Sequence, residues 1–486
     1  MSPWFYALNG LLFLTFFLKL FKILTRSKPS QEIGHSCPVY EEMDDLASGV
    51  DTITTLPHSI IENILSRLPL REMVRTSLLS REWKDRWLTC PDLVFDVRFD
   101  QMFLKGRELN PIIHHVLRQH RGPLLRFAVQ VPSLRSCPEI DEWLHLLPNH
   151  TLQDLFLRVS IGGEHRLTTH LFTFRHLRNL RLESCPFHPS LRFEGFNKLV
   201  TLHLQNVGLV PDRFGDFLAS CSAIQTLILF HCTSFNCLEI TGPRLKLLEF
   251  NGIFSSISFK YCPLLRDVRL AFSPESNVEN DFSSSLAESL SCLPALEELE
   301  LQANALEGLS RSGAAPEKLA VALKSQKNLH LTNMYFEKIA ETASAISFIR
   351  SCPILQKLRI TGYTYEAVDF VAGFLRSQQP IECLAQLKSI KMQLFCGNES
   401  EMEFLKYMLS SVAALEEVVI TPHPGCITDG GEAILNEIKQ YPRASSRAEF
   451  INLDGNTRVL SVEQTIPCLH SCDVHCLHSC DVLYRW

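Results

Sequence analysis

The stretch LRNLRLESC at 177–185 decides the architecture. Its first six positions read apolar-x-x-apolar-x-apolar, and Cys185 stands three positions beyond the last of them. The full form returns as IQTLILFHC at 224–232 and LEELELQAN at 296–304. The six-position core also begins at Leu124, Leu152, Leu199, Leu245, Leu265, Leu355, Leu387 and Leu415, mostly in steps of 20 to 32 residues. Alternation inside each core predicts a short strand with one buried face. A single such strand has nothing behind it until a neighbour stacks on it, so the units must build one parallel sheet together.

This spacing is that of leucine-rich repeats, and it predicts an α/β fold: a solenoid whose curved parallel sheet carries helices or irregular segments outside, over 120–382. The cysteines are phased with it. Cys221, Cys262 and Cys352 precede a repeat by three residues and Cys185 and Cys232 close one, which makes them small buried hydrophobes rather than ligands or nucleophiles. Within each strand the residue between the second and third apolar positions faces away from the core. Phe156, Arg181, His203, Ile228, Glu249, Arg269, Glu300 and Arg359 are therefore the candidates for binding a target on the concave face. The pattern fades between Gln302 and Arg350, where only Leu329-His330-Leu331 resembles a core, and a loop or divergent repeats are expected there.

Composition narrows the function. The 486 residues are 46% hydrophobic and 21% charged, a folded rather than disordered balance. A net charge of −6 leaves no basic footprint for nucleic acid or an anionic membrane. Seventeen cysteines, an odd number mostly scattered singly, point to a reducing compartment. The tripeptides at 149–151 and 398–400 match the glycosylation pattern, which is too short to alter that reading.

Residues 4–24 hold 16 apolar positions in 21, enough for a helix to cross a bilayer core, and Arg26 and Lys28 follow. Residues 1–28 are thus a candidate membrane anchor that would leave the rest of the chain in the cytosol. Residues 29–50 have no Lys or Arg and five acidic residues, as a flexible linker does.

In the module at 51–96, Ile60, Ile61, Ile64, Leu65 and Leu68 recur at three- and four-residue spacing after Pro57, and Pro69 stops the helix. Val74, Leu78 and Leu79 repeat the pattern in a second helix. Some 45 residues of short amphipathic helices bury little surface alone, so a partner is expected on part of the apolar face. LPHSIIENILSRLPLREMVRTSLLSREWKDRW at 56–87 closely resembles the F-box of plant F-box proteins. The resemblance implies docking on a Skp-type adaptor, and through it on a cullin and a RING protein. It assigns the contact to Leu56, Pro57, Ile60, Ile64, Leu65, Leu68, Pro69 and Val74, with Leu79, Arg81 and Trp83 in the following turn. The repeats resemble those behind the F-box in plant proteins, and 383–453 resembles the FBD region that continues them.

CLHSCDV occurs twice in the tail at 454–486, setting Cys468, Cys472, Cys476 and Cys480 four apart with His470, His475 and His478 between. Four collinear ligands do not make a tetrahedron, so a tandem duplication in an unstructured end is expected and no metal. Phosphate loops, nucleophile elbows and H-E-x-x-H motifs are absent, so no catalytic residue and no cofactor is assigned. The expectation is a non-catalytic substrate-recognition subunit of a Skp–cullin–F-box ubiquitin ligase, in cytoplasm or nucleus or anchored with its domains facing the cytosol. Its rivals are a non-catalytic repeat scaffold or binding protein, with or without the membrane anchor, and a ligand-dependent receptor, both without ubiquitin transfer.

Overall fold

The computed structural model describes residues 56–452 except 80–82, 101–108, 132–139, 149–150, 159–168, 186, 188, 190–192, 194, 273–281, 303–318, 320, 363–369, 382–383 and 424–431. The candidate anchor, the linker, Arg81, the 149–151 sequon and the Cys/His tail therefore lie wholly or partly outside the described residues. Among the described residues no helix is long and apolar enough to cross a membrane. The chain divides into two units, Met1–Leu56 and Pro57–Trp486, and the second holds both the short helices and the sheet.

Helix α1 (His58–Leu65) starts behind Pro57 and α2 (Leu70–Arg75) behind Pro69; neither proline has an amide hydrogen to lose. Ile61, Leu65, Leu70 and Met73 of these helices are buried, as are Trp83 and Trp87. A 3-10 turn at Arg86–Thr89 then leads directly into β1 (Asp92–Phe95), the first strand of the sheet. Helices α3 (Val97–Asp100) and α4 (Leu109–Gln119) follow. Return contacts weld the junction. Arg121 N donates to Leu88 O at 2.9 Å and Leu125 N to Pro91 O at 2.8 Å. The ring of His120 hydrogen-bonds Cys90 O at 2.8 Å, and a Cβ on Gly122 would stand 2.6 Å from Thr89 O.

The sheet continues through β2 (Arg126–Val129), β3 (Asp154–Arg158), β4 (Asn179–Glu183), β5 (Thr201–Gln205), β6 (Thr226–Thr241), β7 (Leu247–Tyr261) and β8 (Asp267–Phe272). It ends with β9 (Glu298–Gln302), β10 (Asn328–Met334), β11 (Lys357–Gly362), β12 (Ser389–Phe395), β13 (Glu417–Pro422) and β14 (Glu449–Asn452). The described strands form one sheet of fourteen in chain order, and every neighbouring pair is parallel. Each repeat thus adds its strand beside the one before it, as stacking required. The first apolar residue of each core, two positions before its strand, is buried from Leu124 to Leu415. The residue after it donates its amide to the equivalent carbonyl one repeat back, as in Arg178 N to Gln153 O at 2.7 Å and Gln356 N to Lys327 O at 2.7 Å.

The connections are of two kinds. Helices α5 (Ile140–Leu146), α6 (Pro211–Ser220), α7 (Phe282–Ser291), α8 (Ile339–Arg350), α9 (Phe370–Ser377), α10 (Glu399–Ser411) and α11 (Glu432–Ile438) supply most of them. Between β6 and β7 no helix intervenes. Past two shifts of register both strands continue and pair again from Phe235 to Thr241 and from Phe254 to Tyr261, burying Leu238, Ile240 and Ile257. Helices α6 and α7 pack on these second legs, and the Ser289 hydroxyl donates to Ile257 O at 2.7 Å.

The stretch from Gln302 to Arg350 holds a divergent repeat. Among its described residues β10 pairs with β9 and β11 in the common register and α8 follows. Gln326 occupies the slot that Leu177 fills in its repeat, and this polar residue is what hid the pattern.

A backbone kink also repeats. Ser184, Asn206, His231, Asn333 and Leu394, each three positions beyond the central outward residue of its repeat, all have φ between 48° and 55°. After β10 and β12 a buried glutamate stabilises the turn. Glu341 accepts from Tyr335 N at 3.0 Å, and Glu401 from Cys396 N at 2.9 Å and Gly397 N at 2.7 Å, completing a capping box with Asn398. Asn398 of the second sequon therefore spends its side chain on this cap.

Candidate functional site

Two surfaces matter, one on the helical module and one on the outward face of the sheet. On the module, Ile60 is 45% exposed and Leu78 is 73% exposed. Pro57 is exposed, and Leu56, Ile64, Pro69, Val74 and Leu79 are half-buried. Leu65, Leu68 and Trp83, which the resemblance also assigned to the adaptor contact, are buried in the module. Heptad-like spacing cannot tell the two edges of an apolar stripe apart, and these three form the core that sets the others in place. Leu78 belongs to the helical pattern of the sequence, but spacing alone gives no sign that it faces water.

On the sheet, parallel registration puts all eight outward candidates in one row. Phe156 stands beside Arg181, followed by His203, Ile228, Glu249, Arg269 and Glu300; His330 separates Glu300 from Arg359. The row begins upstream with Val94 and Ala128 and ends with Lys391, Val419 and Ile451. Lys391 and Val419 obey the spacing rule that found the eight, whereas His330 was concealed by Gln326.

The row divides into distinct electrostatic neighbourhoods. Near its start the Arg181 guanidinium lies 4.6 Å from the centre of the Phe156 ring, while its Nε donates to Glu183 at 2.8 Å. Arg158 reaches the same carboxylate at 3.2 Å. His203 is only 7% exposed and its Nε2 has no hydrogen-bond partner, so it is not the open side chain its position promised. Its ring meets Phe230 edge to face at 5.5 Å. Burial, helped by the positive charge of Arg181, holds its pKa down at about 3, so it is neutral at physiological pH.

In the middle, Arg269 is held by both carboxylate oxygens of Asp267, at 3.2 and 2.9 Å. Burial opposes its charge, but Asp267, Glu249 and Glu300 outweigh that and raise its pKa. Burial raises the pKa of Glu249, with Arg269 opposing and Glu300 and Asp267 adding. For Glu300 burial is outweighed by the hydrogen bond and charge of His330 and by Arg269 and Arg359, so its pKa falls. His330 bridges onward, with Nδ1 3.4 Å from Glu300 and Nε2 3.0 Å from the Thr361 hydroxyl, which donates to Gln393 at 3.3 Å.

The five phased cysteines are buried, and burial pushes the Cys232 thiol up to about 11. The Cys185 and Cys232 thiols point at Leu157 O and Leu204 O, equivalent carbonyls of the preceding strand, at 3.6 and 3.5 Å. Such thiols are poor nucleophiles. Among the described residues no group of three or more His, Cys, Asp or Glu side chains is placed to hold a metal.

A helical module with open apolar side chains, joined to a parallel repeat sheet whose outward face mixes polar and apolar residues, defines an F-box and leucine-rich-repeat protein. Comparison with known proteins agrees. The F-box domain model matches 53–95, and the model "At1g61320/AtMIF1, LRR domain" matches 116–439. The chain is 30% identical to F-box/FBD/LRR-repeat protein At1g13570 of Arabidopsis thaliana over 414 residues, 83% of this chain and 98% of that one. It is 23% identical to F-box/FBD/LRR-repeat protein At5g56420 of the same plant, covering 82% and 98%. The chain belongs to the plant F-box/FBD/LRR-repeat family.

Proposed function

We propose that this protein is the substrate-recognition subunit of a Skp–cullin–F-box ubiquitin ligase. The observation that carries the reading is the open apolar surface of the F-box, with Ile60 and Leu78 standing out from a module whose other large apolar residues are largely inside. Leu56, Pro57, Ile60, Ile64, Pro69, Val74, Leu78 and Leu79 form the adaptor face, while Leu65, Leu68 and Trp83 hold it in shape. The outward row of the sheet binds the target. Because the 3-10 turn at Arg86–Thr89 runs into β1 without a linker, the target face stands in fixed relation to the adaptor face. A captured target is then presented to the conjugating enzyme at high effective concentration. The bond chemistry belongs to the partners, and the work is done in cytosol or nucleus, where they operate.

The test is co-purification of the full chain with a plant Skp-type adaptor. Wild type should bind. The double variant Ile60→Asp, Leu78→Asp should lose binding while keeping its melting temperature, because both side chains are already in water. A folded wild-type chain that does not bind the adaptor would remove the ligase reading and leave a repeat scaffold.

A further inference from the structure

The outward face of the sheet carries an uneven charge map. Towards its start the charges are matched within the chain, Arg126 with Asp154 at 3.3 Å and Arg158 and Arg181 with Glu183. Strands β7 to β9 break that balance, setting Glu249, Asp267, Glu298 and Glu300 outward against the single guanidinium of Arg269. Two strands further on the sign reverses: Lys357 and Arg359 on β11 and Lys391 on β12 stand side by side with no outward carboxylate on either strand. His330 separates the zones, and Glu417 and Glu449 follow on β13 and β14. Along the outer edge Lys327–Glu297 and Lys388–Glu416 pair at 2.9 and 3.0 Å and do not shift the map.

We infer that the target is engaged through an extended segment lying across β8 to β12, with a cationic side chain over the β7–β9 carboxylates and an anionic one over Lys357, Arg359 and Lys391. This rests on the reading of the outward face as the target surface, and it names the chemistry of what binds there. Neighbouring strands lie about 4.8 Å apart, so the two zone centres are about 14 Å apart. An extended chain advances about 3.3 Å per residue and returns to the same side every second residue. Four residues, about 13 Å, span the zones with both side chains facing the sheet. The target motif is therefore Lys or Arg followed or preceded at four residues by Asp or Glu. Either direction serves, since side chains rather than backbone make the match. Arg269 and the hydrogen-bonded Glu300, His330 and Thr361 are already fixed before a target arrives, which lowers the ordering cost of binding.

The probe is an array of Gly/Ser dodecapeptides read with the full chain at low salt. One has two Lys at alternate positions and two Glu at alternate positions, four residues apart; the others are all-Lys, all-Glu and mixed peptides with spacings of six and eight. The mixed peptide at spacing four should be retained at least fivefold better than any other, and the preference should fade as salt rises through the Debye range. The double variant Lys357→Glu, Lys391→Glu should move the preference to the all-Lys peptide, with its melting temperature and adaptor capture unchanged. Equal retention of all peptides, or a preference that the double variant leaves in place, overturns the inference. Adaptor capture scored on the same preparations reports separately on the ligase reading.

Discussion

Gln326 offers the sharpest check on the repeat assignment. It fills an apolar slot at 1% exposure, and its Oε1 has no hydrogen-bond partner. Its Nε2 donates to Glu297 O at 3.1 Å and also to Asn328 O. Replacing it with leucine, of similar size, removes an orphaned buried oxygen whose desolvation costs about 1–3 kcal/mol. It also places an aliphatic chain where about 1.5–3 kcal/mol accompanies full burial. Against this stand the bonds from Nε2, at about 1 kcal/mol each. Glu297 O keeps the amides of Lys327 and Asn328 at 3.1 and 2.9 Å, so it is not stranded. The expected outcome for Gln326→Leu is a gain of about 1–2 kcal/mol. In a repeat array stability is shared mainly between neighbours, so the gain should appear as slower amide exchange in β9, β10 and β11, together with a higher denaturant midpoint. A lower midpoint, or faster exchange in those three strands, would show that position 326 is not an equivalent of Leu177, and the shared register would need another explanation.

Two further outcomes rest on single side chains. Leu394 adopts φ 53° where the equivalent positions in the repeats of β5 and β10 are Asn206 and Asn333. Since the left-handed region costs a branched side chain about 1–2 kcal/mol and asparagine much less, Leu394→Asn should raise the denaturant midpoint by about 0.5–1 kcal/mol equivalent; a loss would show that its half-buried contacts outweigh the strain. His203 has a folded pKa of about 3, below its unfolded value of 6.5. Its contribution to stability is therefore fully present above pH 6.5 and is lost as the pH falls from there towards 3, at up to about 1.4 kcal/mol per pH unit. His203→Gln should flatten the pH dependence of the urea midpoint in that window, and an unchanged slope would show that the ring is not held neutral by burial.

Much of this was legible in the chain because it is local. The position of each strand and the identity of its outward residue follow from two-residue alternation, so eight members of the outward row could be written down from the repeat cores alone. His330 could not, because one polar residue, Gln326, occupies the slot on which the pattern depends. The F-box helices were legible for the same reason, in their prolines and three-four spacing. Which of Ile60, Ile61, Ile64 and Leu65 face water was not, since that depends on where the second helix and Trp83 come to rest.

The charge map and the burial of His203 belong to the tertiary structure alone. Glu300, His330 and Arg359 are about 30 residues apart from one to the next, and only the parallel register lays them side by side. The direction in which burial and neighbouring charge move Glu249 and Glu300, and the pairing of Arg181 with Phe156 and Glu183, depend on that register too. Sequence determined the repeat, the strand faces and the adaptor helices, because each is set by contacts within a few residues. The fold decided which charges meet and which side chains lose water, because both are properties of neighbours the chain brings from far away.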